Sequence, residues 1–170
     1  MIKVIGAKGK IKNIDDFLEK ICCFAKKNNL IIQAFDAELV FSKNHIFSAV
    51  EHAFRSFSRK TNTTNSLEKE ILLYLSGERQ LKIAIPKVGV KLRNEKIVFI
   101  LVNNKNSPIP NNVIKDFLET LYLDRDDKVI QGNENTLRRF GIKENEIKTV
   151  TKTKYEDLIL EKVAMVDIIK

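Results

Sequence analysis

Two histidines, His45 and His52, and two adjacent cysteines, Cys22 and Cys23, are the side chains that could ligate a metal or serve as base or nucleophile in this chain of 170 residues. Neither pair has the spacing such chemistry needs. The histidines fall seven residues apart on one expected helix, which is roughly 10.5 Å along its axis, whereas chelation from a helix uses positions i and i+4. His45 reads as a capping or surface histidine in the first turn, and His52 as a packed or hydrogen-bonded one. Neighbouring cysteines cannot pair with each other without severe strain, so Cys22 and Cys23 are expected to pack in the core or flank of a helix in a reducing compartment. Gly6-Ala7-Lys8-Gly9-Lys10 is basic and glycine-containing, but it follows a strand without opening the helix of a dinucleotide fold. No G-x-S-x-G or P-loop pattern occurs, and Asp15, Asp16, Asp126 and Asp127 read as helix-start and loop charges. No catalytic residue, metal or cofactor is expected.

Recognition has more to work with. Ser76-Gly77-Glu78-Arg79-Gln80 places a helix end, a tight corner and a new helix start in five residues. A helix N-terminus presents unpaired N–H groups and partial positive charge, and a glycine before it lets a phosphate or ribose approach the backbone. Ser76 and Gln80 add neutral hydrogen-bonding groups and Arg79 a charge. The competing reading is that Gly77 only turns the chain while Gln80 closes a capping interaction. The basic residues Arg55, Arg59 and Lys60, at the far end of the preceding helix, favour the first.

The elements that must position these residues follow from periodicity and punctuation. Ile2 to Gly6 reads as a strand, and Asn13 caps a helix that keeps Phe17, Leu18, Ile21, Phe24 and Ala25 on one side and stops near Asn28-Asn29. Leu30 to Phe41 is strand-like, with a polar break at Asp36. Ser42 caps a long helix to Lys60 with the apolar stripe Ile46, Ala49, Val50, Ala53, Phe54 and Phe57, leaving Lys43, Glu51, Arg55, Ser58 and Arg59 toward solvent. Ser66 opens a helix ending at Ser76-Gly77, and Pro86 and Gly89 close the next. Val88-Gly89-Val90 and Lys96 to Val102 read as strands, the second buried on both sides. Asn103 to Asn112 is loop, Val113 to Leu123 helical, 124–154 polar with a short helix around Leu137-Arg138-Arg139-Phe140, and the last helix runs from Tyr155 toward Lys170. The expected fold class is α/β (α+β): a small mixed β-sheet packed with several α-helices in a single domain, residues 1–170.

Charge is distributed regionally. The formal net charge is +8, and the local balance is +5 over residues 1–60, +2 over 61–95, −1 over 96–127, +4 over 128–154 and −2 over 155–170. A basic surface of this kind suits a polyanion. The C-terminal segment is different: from Leu158 to Ile169 only Glu161, Lys162 and Asp167 are polar. Apolar residues there fill one stripe of Ile159, Val163 and Val166 and another of Leu160, Ala164 and Ile168. A surface helix needs only one, so the second predicts deep burial or a protein partner. With no apolar run near the ~20 residues of a membrane span and no signal-peptide opening at Met1-Ile2-Lys3-Val4, a cytoplasmic protein is expected.

Together these segments resemble the TPRKB family (p53-related protein kinase-binding protein and its archaeal relatives), the small accessory subunit of the KEOPS complex. The resemblance lies in Ser42-Lys43-Asn44-His45-Ile46 with Ala49, in Asn65-Ser66-Leu67 with the run Glu70 to Leu81 and Ala84-Ile85, in Val88-Gly89-Val90, and in Leu160 to Val166. The Glu70 to Gln80 run is its specific part. The resemblance, to the archaeal type, implies a subunit without catalytic activity that binds the complex's kinase-like ATPase subunit. It also implies a role in helping deliver tRNA to the threonylcarbamoyl transferase subunit by holding the single-stranded CCA 3′ end. By position, Ser76, Gly77 and Gln80 would form the pocket for the terminal nucleotides, with Arg59 and Lys60 on the phosphates. Arg55, Asn65 and Arg79 complete the candidate RNA-binding set. Leu160, Val163 and Ala164 are the candidate contacts for the kinase-like partner. The alternative is a purely protein-binding, regulatory module of the kinase-like subunit whose basic surface is only solvated. Neither reading involves a membrane or a small-molecule substrate.

Overall fold

The computed structural model describes residues 1–103, 105 and 107–169. Asn104 and Asn106 of the expected loop, and Lys170 at the end of the expected last helix, lie outside the described residues. The chain forms two compact units, Met1–Ala37 with Val90–Val129 and Glu38–Gly89 with Ile130–Lys170.

The first unit is built on a four-stranded sheet of β1 (Ile2–Lys8), β2 (Leu30–Asp36), β3 (Lys96–Asn103) and β4 (Asp124–Arg125), in the order β2-β3-β1-β4. Helices α1 (Ile14–Asn28) and α5 (Asn111–Thr120) belong to the same unit. Every pairing is antiparallel, so the expected mixed sheet is corrected. A strand, a helix and a second strand at the start of the chain suggest a parallel pair, but β3 enters between β1 and β2 and runs antiparallel to both. Val4 faces Ile100 across one pairing and Ile32 faces Leu101 across the other. As expected, β3 is buried on both faces from Ile97 to Val102, the pattern of a central strand. On one face Phe99 lies edge-on to Phe117 of α5 and tilted to Phe17 of α1, within a core that includes Ile5, Ile32, Ile97, Leu101 and Ile114. Asn13 accepts the Asp16 N–H at 2.9 Å and caps α1 as its sequence predicts. Gly6 is required by close approach, since a Cβ there would sit 2.4 Å from the Asp126 carbonyl.

The second unit is helical: α2 (Lys43–Arg59), α3 (Leu67–Ser76), α4 (Leu81–Val88), α6 (Glu134–Phe140), α7 (Glu144–Lys148) and α8 (Tyr155–Ile169). Its centre is α3, buried continuously from Glu70 to Ser76: Ile71 to Leu75 put apolar side chains on every side of the helix, and Glu70 and Ser76 at the ends of the run are held by hydrogen bonds. Two expected strands are corrected. The β2 strand ends at Asp36 and continues as a 3₁₀ turn, Ala37–Leu39, and Val88 is the last residue of α4 rather than the start of a strand. Pro86 falls in the last turns of α4, where the lost hydrogen bond does not prevent the helix from continuing to Val88.

Candidate nucleic-acid interface and partner-facing helix

Helices α2 and α3 run antiparallel. Ser56 near the end of α2 donates to Glu70 near the start of α3, the ring of His52 lies 5.3 Å from that of Tyr74, and His45 at the start of α2 reaches the Leu75 carbonyl. The candidate residues therefore separate into two groups at opposite ends of the ten-residue α3, roughly 15 Å apart by helix rise. Arg59, Lys60 and Asn65 stand at one end and Ser76 to Gln80 at the other.

At the first end Arg59, Lys60 and Asn65 are all exposed. Lys60 ends α2 in the left-handed region (φ 57°), its N–H returning to Ser56 and Phe57. The loop that follows folds over the fully buried carboxylate of Glu70, which accepts from the backbone N–H groups of Thr63 and Thr64, the Thr64 hydroxyl at 2.8 Å and the Ser56 hydroxyl. A buried charge persists only with such compensation. Reading the residues alone gave Glu70 no structural role. Its signal was an acid inside the apolar run before Ile71-Leu72-Leu73, following a loop made of Thr, Asn and Ser.

At the other end the corner is a Schellman-type helix stop. Gly77 has φ 67°, its N–H returns to Tyr74, and the Glu78 N–H returns to Leu73. Ser76, expected in a ligand pocket, is instead fully buried, its hydroxyl donating to Leu73 O at 2.8 Å and accepting from the Glu78 N–H. Gly77 packs closely too, since a Cβ there would lie 3.3 Å from Cβ of Lys162. These two residues shape the corner, while Arg79 and Gln80 are its exposed groups. Gln80 stands at the N-cap of α4 without a side-chain capping bond, contrary to the capping alternative, while its carbonyl accepts from the Ile83 and Ala84 N–H groups at 3.0 and 2.9 Å; the positive end of the helix dipole lies at this corner. Glu78 pairs with Lys87, whose ammonium lies 4.2 Å from the Phe140 ring centroid.

His45 is corrected from a capping or surface residue to a core one. Its Nδ1 accepts from the Phe41 N–H at 3.2 Å and its Nε2–H donates to Leu75 O at 2.9 Å. Burial, and secondarily the charge of Lys87, pushes its pKa down to about 4 against the opposing bond to Leu75, so the ring is neutral. Cys22 and Cys23 are corrected in the other direction, both being exposed on α1. Arg55 belongs to a different network from the one expected. With Nδ1 of His52 it meets Asp167 of α8, which also accepts from the Tyr74 hydroxyl. Arg55 thus helps seat α8 on α2.

On α8 the buried stripe is Ile159, Val163 and Val166. Val163, expected as a partner contact, is fully buried and is corrected to a core residue. Leu160 is half-buried, and Ala164, Met165 and Ile168 are exposed, Ile168 at 75%. Lys162 donates to Glu146 of α7 at 2.9 Å and holds that carboxyl below the usual range. Among the described residues no group of three or more His, Cys, Asp or Glu could hold a metal, and no helix is long and apolar enough to cross a membrane.

Fold and site together define an α/β protein whose candidate cations Arg59, Lys60 and Arg79 stand exposed at helix ends and whose helix α8 keeps an apolar face outward. The sequence matches the model of the family described as kinase binding protein CGI-121 over residues 9–167, and the chain belongs to that family. It is similar to a KEOPS complex subunit Cgi121 from Pyrococcus abyssi (strain GE5 / Orsay), 28% identical over 130 residues, covering 76% of this chain and 69% of the relative. It is also similar to an EKC/KEOPS complex subunit CGI121 from Coccidioides immitis (strain RS), 26% identical over 68 residues, 40% of this chain and 33% of that one.

Proposed function

We propose that the chain is a non-catalytic, cytoplasmic KEOPS subunit that holds the unpaired CCA 3′ end of tRNA and binds the kinase-like ATPase subunit. It would thereby support threonylcarbamoyladenosine formation by the transferase subunit. The observation that carries the RNA half is the uncapped N-terminus of α4 beside exposed Arg79 and Gln80. Backbone donors, a charge and a neutral amide hold a single strand without needing a groove. Arg59 and Lys60, at the other end of α3, serve nucleotides further from the terminus, with Asn65 adding a neutral donor. The kinase-like partner docks on the outward face of α8, through Leu160 and Ala164. An electrophoretic shift with intact tRNA and tRNA lacking its last three nucleotides tests the RNA half. Intact tRNA is expected to bind much more tightly; equal affinities would overturn it.

A second reading, a protein-binding module without direct RNA contact, draws on the same outward face of α8, where Met165 and Ile168 are exposed beside Ala164. It expects no shift with either tRNA.

A further inference from the structure

Tyr122 in the first unit is placed where neither backbone preference nor burial accounts for it. It lies just past the C-cap of α5 in the left-handed region (φ 57°) and is 84% exposed. Glycine or asparagine usually takes that position, because a Cβ crowds the carbonyl oxygen. A bulky residue held there in solvent is an outlier of the kind that collects at ligand sites.

The surroundings supply what such a ring would need. The Lys20 ammonium lies 5.2 Å from the ring centroid, over one face. Tyr122, Lys10, Lys12, Lys20 and Asp16 line a hollow of about 350 Å³. The loop carrying Lys10 and Lys12 lies tightly on the tyrosine segment, since a Cβ on Gly9 would come within 2.4 Å of Leu123 Cδ2. Arg93, also left-handed (φ 70°) and exposed, donates its backbone N–H to Ile11 of the same loop at 3.1 Å. The acids present are partly neutralised, Asp16 by Lys20 at 2.8 Å and Glu95 by Lys10 at 3.4 Å. Lys12 and Arg93 make no ion pair among the described residues.

We propose that this hollow binds an unpaired nucleotide of an RNA strand, its base stacked on the open face of Tyr122 and the adjoining phosphates on Lys12, Arg93 and Lys10. An exposed aromatic ring with a cation over one face, in a hollow lined by further lysines, fits a stacked base whose adjoining phosphates meet those cations. An acidic peptide would use the lysines but give no reason for the strained ring. None of the α3–α4 corner residues takes part, so the two sites stand or fall separately.

The test is a nuclear magnetic resonance titration of the full chain with hexaadenylate, the Tyr122 ring signals being assigned by their loss in Tyr122→Phe. The ring signals are expected to move upfield as adenine stacks, and to do so equally in an Arg79→Ala/Gln80→Ala variant that disables the corner. In that variant Tyr122→Gly, which suits the left-handed backbone and so keeps the fold, should weaken hexaadenylate binding about tenfold, while Tyr122→Phe keeps it. AMP should bind at least about tenfold more weakly than the strand. Unmoved ring signals, wild-type affinity in Tyr122→Gly, or equal affinity for AMP would each overturn the proposal. A failure of the end-trimmed tRNA comparison would leave these readouts untouched.

Discussion

Two buried polar side chains organise the second unit, each through hydrogen bonds to groups on neighbouring segments. Glu70 gathers the loop after α2 because its carboxylate accepts, and Thr63 and Thr64 of that loop, with Ser56, point donors at it. His45 joins the start of α2 to the end of α3, with one nitrogen accepting and the other donating, which a neutral ring alone can do. That neutrality has a pH consequence. Above pH 6.5 the imidazole is uncharged in folded and unfolded chains alike and adds no pH dependence. Between 6.5 and about 4 the unfolded chain takes up a proton that the buried ring refuses, so stability falls as pH falls. The full loss is about 3 kcal/mol once both forms are protonated. Urea midpoints at pH 7.5 and 4.5 check this: the drop should be smaller in His45→Gln than in the native chain, and equal drops would contradict it.

Among the elements, α8 has inner and outer sides that do different work. Its register was hard to read because both apolar stripes satisfy helical spacing, and only packing chooses which turns inward. The buried choice is Ile159, Val163 and Val166, so Val163 and Ala164, adjacent in sequence, separate core from surface. Val163→Ala should cost about 2 kcal/mol, by lost burial and a residual cavity. Ala164→Glu should leave thermal unfolding within about 0.5 kcal/mol of native, because it is a surface change, while abolishing association with the kinase-like subunit. Denaturation with pull-down of both variants separates the two. Helix starts were legible where a capping side chain marks them: Asn13 and Ser42 cap α1 and α2 as their types require, whereas α7 lies within a stretch whose polar pattern did not announce it. The strand content was legible where a run was buried on both faces, as in β3. It was not at Val88-Gly89-Val90, where Val88 closes a helix instead, or at the pairing of β1 and β2 with an inserted antiparallel β3.

For the whole molecule, net charge gives the direction of an interaction and not its address. The value of +8 suits a polyanion, yet Arg55 is committed to Asp167 of α8, a residue 112 positions away that no local pattern reveals. Ser76 likewise turns inward through bonds to its own helix end. What the spacing did reveal was the corner itself, because a left-handed glycine followed by a fresh helix start is a local event. Arg59 and Lys60 remain exposed, outside the Asp167 network that takes up Arg55, and that makes them measurable. Each phosphate they neutralise on a single strand adds about 0.7 to the slope of log K against log salt. Arg59→Glu/Lys60→Glu should therefore flatten that slope by about 1.4 if both residues touch phosphates. The measurement is tRNA affinity across a salt series for native and variant chains. Binding that weakens uniformly with no change of slope would rule the two residues out as phosphate contacts, because a charge interaction with the strand is screened by salt. An affinity unchanged at every salt concentration would remove that end of α3 from the RNA path.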